Sequence, residues 1–194
     1  ENALDAGATH IDIILKNWGI DLIEVRDNGE WISPEDLPKT IEKYSTSKIS
    51  NLQDLYEVMT FGFRGEALAS ISSVSKFTLS SKQENATGGK SIFIWEDEVI
   101  SLFDIAHERG TTVKVENLFY NTPARLNYLK QARTEYLKVS QCVQNFALSY
   151  PEIAFWLEHD GKQALYFPQY QWFLPRIASI LWEEFAKNIL EIDY

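Results

Sequence analysis

Apolar and polar residues follow two rhythms along this chain, a helical one and a period of two, and their succession predicts the elements. Residues 1–6 read as the end of a helix, with Gly7 as the residue past its C-cap. At 10–16 and 20–26 the pattern alternates: Ile11, Ile13 and Leu15, then Leu22, Ile23 and Val25, predict paired strands. Ser33-Pro34-Glu35-Asp36 reads as a helix start, with a serine able to cap, a proline suited to the first turn and acids favoured by the dipole. Helical patterns follow at 51–59 and 64–72. Strand-like ones follow at 74–80 and 90–95, joined by a polar connection from Lys82 to Gly89 that is expected to be mobile. Residues 111–118 alternate again, Thr122-Pro123 starts a helix, and 135–149 predicts a longer one. Segments 153–158 and 163–167 predict a hairpin turning at Asp160-Gly161.

Strands and helices therefore mix without strict βαβ alternation. This favours a two-layer α/β sandwich, with helices on one sheet face, over a doubly wound parallel sheet. Near residue 170 the hairpin gives way to a last helix at 174–185, and 189–194 reads as the first strand of another domain. The expected division is 1–170 and 171–194.

Composition narrows the class. The 194 residues are 45% apolar and 24% charged, which suits one soluble globular domain. No stretch of 18 apolar residues offers a membrane span. The chain opens on Glu1 with no basic-then-apolar leader, so a fragment of a non-secreted protein is expected. A single cysteine, Cys142, excludes an internal disulfide and is expected to be a buried core thiol. The net charge of −10 argues against strong binding of duplex DNA by these residues alone, because neutralising phosphates needs clustered Lys and Arg.

No Walker-type loop, HExxH pair, paired-cysteine site or Gly-x-Ser-x-Gly elbow is present. His10, His107 and His159 lie far apart and read as surface or strand-edge residues rather than a metal site. Four polar clusters remain. Asn2, on a helix, offers a neutral oxygen suited to Mg²⁺, or is a plain exposed residue. Asp27-Asn28-Gly29 is a turn signal whose aspartate could also accept from an amino group. Thr46-Ser47-Lys48 could hold phosphate or be a solvated loop. In Phe61-Gly62-Phe63-Arg64-Gly65-Glu66-Ala67-Leu68 glycines flank a helix start, which makes either a main-chain anion site or a structural turn.

Residues 62–74 read GFRGEALASISSV, which closely resembles the signature stretch of MutL-type mismatch repair proteins. The resemblance runs in register from Glu1 to about Gly161, with Thr46-Ser47-Lys48-Ile49 and Leu118-Phe119-Tyr120-Asn121-Thr122-Pro123-Ala124-Arg125 in their places. It implies the GHKL (Bergerat) ATPase fold: a mixed, mostly antiparallel sheet with helices on one face. The same group holds topoisomerase ATPase subunits, ninety-kilodalton heat-shock chaperones and sensor histidine kinases. The Gly-Phe-Arg-Gly-Glu-Ala-Leu and Asn-Thr-Pro-Ala-Arg runs disfavour a topoisomerase subunit or a histidine kinase. A degenerate interaction module without ATPase activity is the other alternative.

ATP and Mg²⁺ are the implied cofactors. Asn2 would coordinate the metal. Asp27, with Gly29 in its motif, would take the adenine amino group, and Thr111 or its neighbour Thr112, following Gly110, would back it through a water. Gly62, Phe63, Arg64 and Gly65 would form the lid over the phosphates, with Glu66 and Leu68 opening the helix behind. Thr46, Ser47 and Lys48 would line the phosphate side. The implied activity is slow hydrolysis driving a switch. Implied partners are a second copy joined through the ATP-bound N-terminal domains, a mismatch-recognition protein of the MutS type, and DNA mainly through other domains, with no membrane. The implied setting is the bacterial cytoplasm, in association with the nucleoid. Residues 171–194 would be a connecting helix and the start of a ribosomal S5-like transducer domain.

The family's general base lies four residues before the motif asparagine, upstream of Glu1, and its γ-phosphate lysine lies beyond residue 194. These residues alone are therefore expected to be inactive. The family pattern Asp-x-Gly-x-Gly reads Asp27-Asn28-Gly29-Glu30-Trp31 here, and Tyr44 stands where histidine is usual. Trp182 also stands at a glycine position of the family. Nine glycines against six tryptophans (18, 31, 95, 156, 172 and 182) suggest that the source reads UGA as glycine; six UGG codons would exclude this.

Overall fold

The computed structural model describes residues 1–41, 67–96, 98–129, 131–170 and 172–181. After the short α1 (Asn2–Asp5), the first alternating segments form β1 (His10–Lys16) and β2 (Leu22–Asp27). They run antiparallel, with Ile13 opposite Val25 and Leu15 opposite Ile23. Next come β3 (Lys76–Lys82), β4 (Gly89–Trp95), β5 (Glu98–Ile105) and β6 (Gly110–Glu116). The late hairpin is β7 (Ala154–His159) with β8 (Lys162–Phe167), turning where the sequence predicts. Together they make one sheet in the order β5-β4-β3-β6-β2-β1-β7-β8. The β1–β7 pair is parallel and the other pairs are antiparallel.

The described helices are α1, α2 (Ala67–Ser72), α3 (Pro123–Tyr128), α4 (Ala132–Ser149) and α5 (Phe173–Leu181). Alternation sends Ile11, Ile13, Leu15, Phe155, Leu157 and Phe167 to one sheet face, where Ala3 of α1 and Val143 and Ala147 of α4 close over them. Farther along the same face, Phe77, Leu79, Ile92, Ile94 and Val115 pack with Leu37, and Leu68 and Ile71 of α2 lie against them. Each large side chain so buried contributes roughly 1.5–3 kcal/mol. The opposite face carries polar residues such as His10, Asp12 and Glu158, with His10 Nε2 2.8 Å from Asp12 Oδ1. This is the two-layer arrangement that the mixed element order predicts.

Several expectations change. The helix expected from Ser33 is a hydrogen-bonded turn followed by a 3-10 helix at Pro38–Ile41. Ser33 caps as predicted, its Oγ accepting from the Asp36 amide at 3.1 Å. Pro38, however, has no N–H to continue an α-helix. Strand β5 was not expected; it lies at the sheet edge, where Val99, Ile100, Leu102 and Phe103 are all exposed, so its pattern lacks an inward stripe. Cys142 is exposed, which corrects the buried thiol. Val139, Val143, Phe146 and Ala147 set the inward stripe of α4, and residue 142 falls about 100° off Val143. The predicted helix at 51–59 and the strand at 189–194 lie outside the described residues.

Helix α5 is fastened to the sheet layer by Arg176, which is fully buried. Its Nη2 donates to the carbonyls of Pro151 (2.9 Å) and Ile153 (2.6 Å), and its guanidinium lies over the rings of Phe167 and Tyr170.

Candidate functional site

On the covered face, three neighbouring strands carry apolar stripes that all turn polar at the same level. The stripe of β2 runs Ile23, Val25, Asp27; that of β6 runs Val115, Val113, Thr111; that of β3 runs Phe77, Leu79, Ser81. Register places Asp27 opposite Thr111 and Thr111 opposite Ser81. A polar row therefore crosses the end of the core, with Thr111 and Ser81 buried.

Asp27 is the ionisable member of the row. Burial pushes its carboxyl above the ordinary aspartate range, opposed by main-chain hydrogen bonds at Gly29 and Thr111 and by the neighbouring His107. Its Oδ1 accepts from the Gly29 amide at 2.9 Å. An ionised carboxylate in such a setting is a strong acceptor for an N–H donor.

Two glycines let the surrounding segments close in. The Glu30 amide donates to the Ala6 carbonyl at 2.7 Å, drawing α1 against the turn after β2. A Cβ on Gly29 would stand 2.7 Å from that same carbonyl oxygen. Gly110, at φ +109°, begins β6 so near Asp27 that a Cβ would collide with the Asp27 carbonyl. Asn28 adds a lock: its Oδ1 accepts from the amides of Thr9 (2.9 Å) and His10 (3.0 Å), and its Nδ2 donates to Thr9 Oγ1.

Of the residues singled out from the sequence, Asp27, Gly29 and Thr111 come together. Asn2 lies exposed on α1, the helix that Ala6 joins to the Asp27–Gly29 turn. The structure separates the two threonines. Thr111 shares the face of Asp27, whereas Thr112 faces the other way and its Oγ1 lies 2.8 Å from His107 Nε2. Leu68, in α2, packs on the second apolar cluster. Thr46, Ser47, Lys48, Gly62, Phe63, Arg64, Gly65 and Glu66 lie outside the described residues. Among the described residues no group of three His, Cys, Asp or Glu could hold a metal by itself. Any cation here would need oxygens from a ligand and water besides Asn2.

Sequence reading missed Ser81, took Asn28 only as part of a turn signal, and read His107 only as a surface or strand-edge residue. The signal for Ser81 was present: it is the inward position at which the Phe77–Leu79 stripe turns hydroxylic. Only the pairing of β3 with β6 shows that this matters.

Residues 1–114 match the family model of histidine kinase-, DNA gyrase B- and HSP90-like ATPases. The chain is 43% identical over 195 residues to DNA mismatch repair protein MutL of Xanthomonas campestris pv. campestris, covering all of this chain and 31% of that protein. It is 45% identical over 193 residues to MutL of Neisseria meningitidis serogroup A, covering all of this chain and 29% of that one. The chain thus spans about a third of the length of the curated relatives it matches. Among solved structures, the Aquifex aeolicus MutL ATPase domain complexed with ADP is similar, with TM-score 0.75 and 31% identity over 93% of this chain and 64% of that one. The N-terminal domain of a DNA repair protein superposes with TM-score 0.81 and 26% identity, over 100% of this chain and 57% of that one.

Proposed function

Because the chain belongs to the MutL family of DNA mismatch repair proteins and has the GHKL ATPase fold, we propose that it forms the nucleotide-binding part of an ATP-driven repair switch. The observation that carries this reading is the half-buried Asp27 carboxylate facing Thr111, at the place where the glycines let α1, β2 and β6 converge. The Aquifex relative with ADP supports it.

Asp27 accepts a hydrogen bond from the adenine amino group, and Thr111 backs it through a water. Asn2 would hold Mg²⁺ through its side-chain oxygen, and the ion would supply positive charge to the phosphates. Gly62, Phe63, Arg64 and Gly65, with Glu66 and Leu68 behind them, are the residues proposed to close over the phosphates, and Thr46, Ser47 and Lys48 to line their far side. Main-chain amides and a fixed charge act here by pre-organisation rather than by covalent chemistry. The general base is not assigned to a residue of this chain.

In the whole protein, binding of ATP orders the lid residues and favours pairing of two such domains. Hydrolysis is slow because the output is a state rather than a product. The paired state couples a MutS-type mismatch-recognition protein to later repair, with DNA held mainly by other domains. The proposed setting is the cytoplasm, at the nucleoid; no helix among the described residues is long and apolar enough to cross a membrane. Residues 1–170 are proposed as the nucleotide domain and 171–194 as the link to a second domain, with Arg176 tying that link to the first.

The test is calorimetric titration of the full-length protein with ATP and Mg²⁺, alongside D27A. Binding by the parent that D27A abolishes supports the assignment; equal binding by both removes it.

A further inference from the structure

Ser81 belongs to none of the motifs used above, yet it stands at the centre of the polar row. It is 3% exposed. Its single hydroxyl meets three groups from three parts of the chain: the Ile32 amide at 2.9 Å, the Gly110 carbonyl at 3.0 Å and Thr111 Oγ1 at 3.1 Å.

Counting protons fixes the directions. The Ile32 amide can only donate and the Gly110 carbonyl can only accept, so the one hydroxyl proton of Ser81 goes to Gly110. The remaining contact then runs from Thr111 to Ser81: the Thr111 hydroxyl donates and Ser81 accepts. With its proton committed to Ser81, Thr111 Oγ1 offers only lone pairs to any further partner. Asp27, when ionised, also offers only lone pairs. The end of the row is thus made of acceptors.

We propose that Ser81 is a positioning residue for base specificity, holding Thr111 as an acceptor so that the site selects a purine bearing an exocyclic amino group at position 6 over one bearing a carbonyl there. The proposal rests on the assignment of the base to Asp27. The water between Thr111 and the base spends its two hydrogens on Thr111 and Asp27, so it too faces the base with lone pairs, and an amino group gives one hydrogen to Asp27 and one to this water. A carbonyl oxygen brings a lone pair against lone pairs, and a buried site built to receive donors rejects a ligand that lacks them. Freed from Ser81, the Thr111 hydroxyl can rotate to donate, and the rejection weakens.

The experiment uses the full-length protein and compares dissociation constants for Mg·ATP and Mg·GTP in the parent, S81A, T111V and S81A/T111V. The expected result for S81A is a fall of about ten-fold in the preference for ATP over GTP. The double variant should lose no more preference than T111V alone, since Ser81 acts through Thr111. Equal weakening of both nucleotides in S81A, with the ratio unchanged, reduces Ser81 to a structural bond and overturns the proposal. Should S81A not fold, S81C keeps the shape with a weaker hydrogen-bonding group and is read by the same ratio. If D27A binds Mg·ATP like the parent, the base-site assignment itself fails, an outcome distinct from an unchanged ratio in S81A.

Discussion

The carbonyl of Ala6 receives the amide of Glu30 at 2.7 Å, and Gly29, one residue earlier, leaves no room for a side chain beneath that same oxygen. Through this contact the helix bearing Asn2 is set against the strand end bearing Asp27.

G29A tests the close approach. The added methyl would meet main-chain oxygen and the Ala6 Cβ, neither of which can swing away. A loss of about 1–3 kcal/mol in stability is expected from overpacking. Nucleotide binding should weaken along with it as α1 is pushed off. Urea denaturation and calorimetry measure the two; a variant as stable as the parent would show that α1 is held by other contacts.

Asp27 should make stability depend on pH. Burial holds its carboxyl above the ordinary range, so the folded protein keeps a proton that the unfolded chain has already released. Its contribution to stability is full below the ordinary aspartate pKa and is lost as pH rises through the raised value. D27N cannot ionise and escapes that loss. Its stability relative to the parent should therefore grow across this interval and level off above it, as read from denaturation at a series of pH values. Parallel curves would contradict the assigned burial. Affinity for ATP should move the other way in the parent, falling as acid protonates the acceptor.

Arg176 links the last described helix to the sheet layer. In R176A the carbonyls of Pro151 and Ile153 lose their buried donor and a cavity opens beside Phe167 and Tyr170. A loss of about 3 kcal/mol is expected, near the upper range for a charged hydrogen bond. R176K, with one ammonium for two carbonyls, should fall between the two. Chemical denaturation decides; a change under about 0.5 kcal/mol is what an unimportant surface residue would give.

The tryptophans make a chemical prediction. Trp18 sits at φ +61°, a conformation that costs a bulky residue about 1–2 kcal/mol and glycine little. Trp31 follows Gly29 by two residues, in the turn proposed to receive adenine. Peptide mass spectrometry of the protein isolated from its native source is expected to read glycine at both positions. An indole at either would show that these are genuine tryptophans; the indole of Trp18 would then gain its tilted packing against the His159 ring, 4.2 Å between ring centres.

What the sequence by itself determined is local. Period-two runs specified β1, β2 and the β7–β8 hairpin because a half-buried strand needs an apolar residue at every second position, and the GFRGEALASISSV run carried the family. Position 142 was misjudged because a helix's apolar content does not say which side is covered, and β5 was missed because an edge strand with no buried stripe has no inward pattern to betray it. Only the tertiary structure decided that Asp27, Thr111 and Ser81 form one row and that Thr112 does not join it. Those residues are far apart in the chain, and their meeting depends on the register of three strands, which is set by packing of the whole sheet rather than by any one segment.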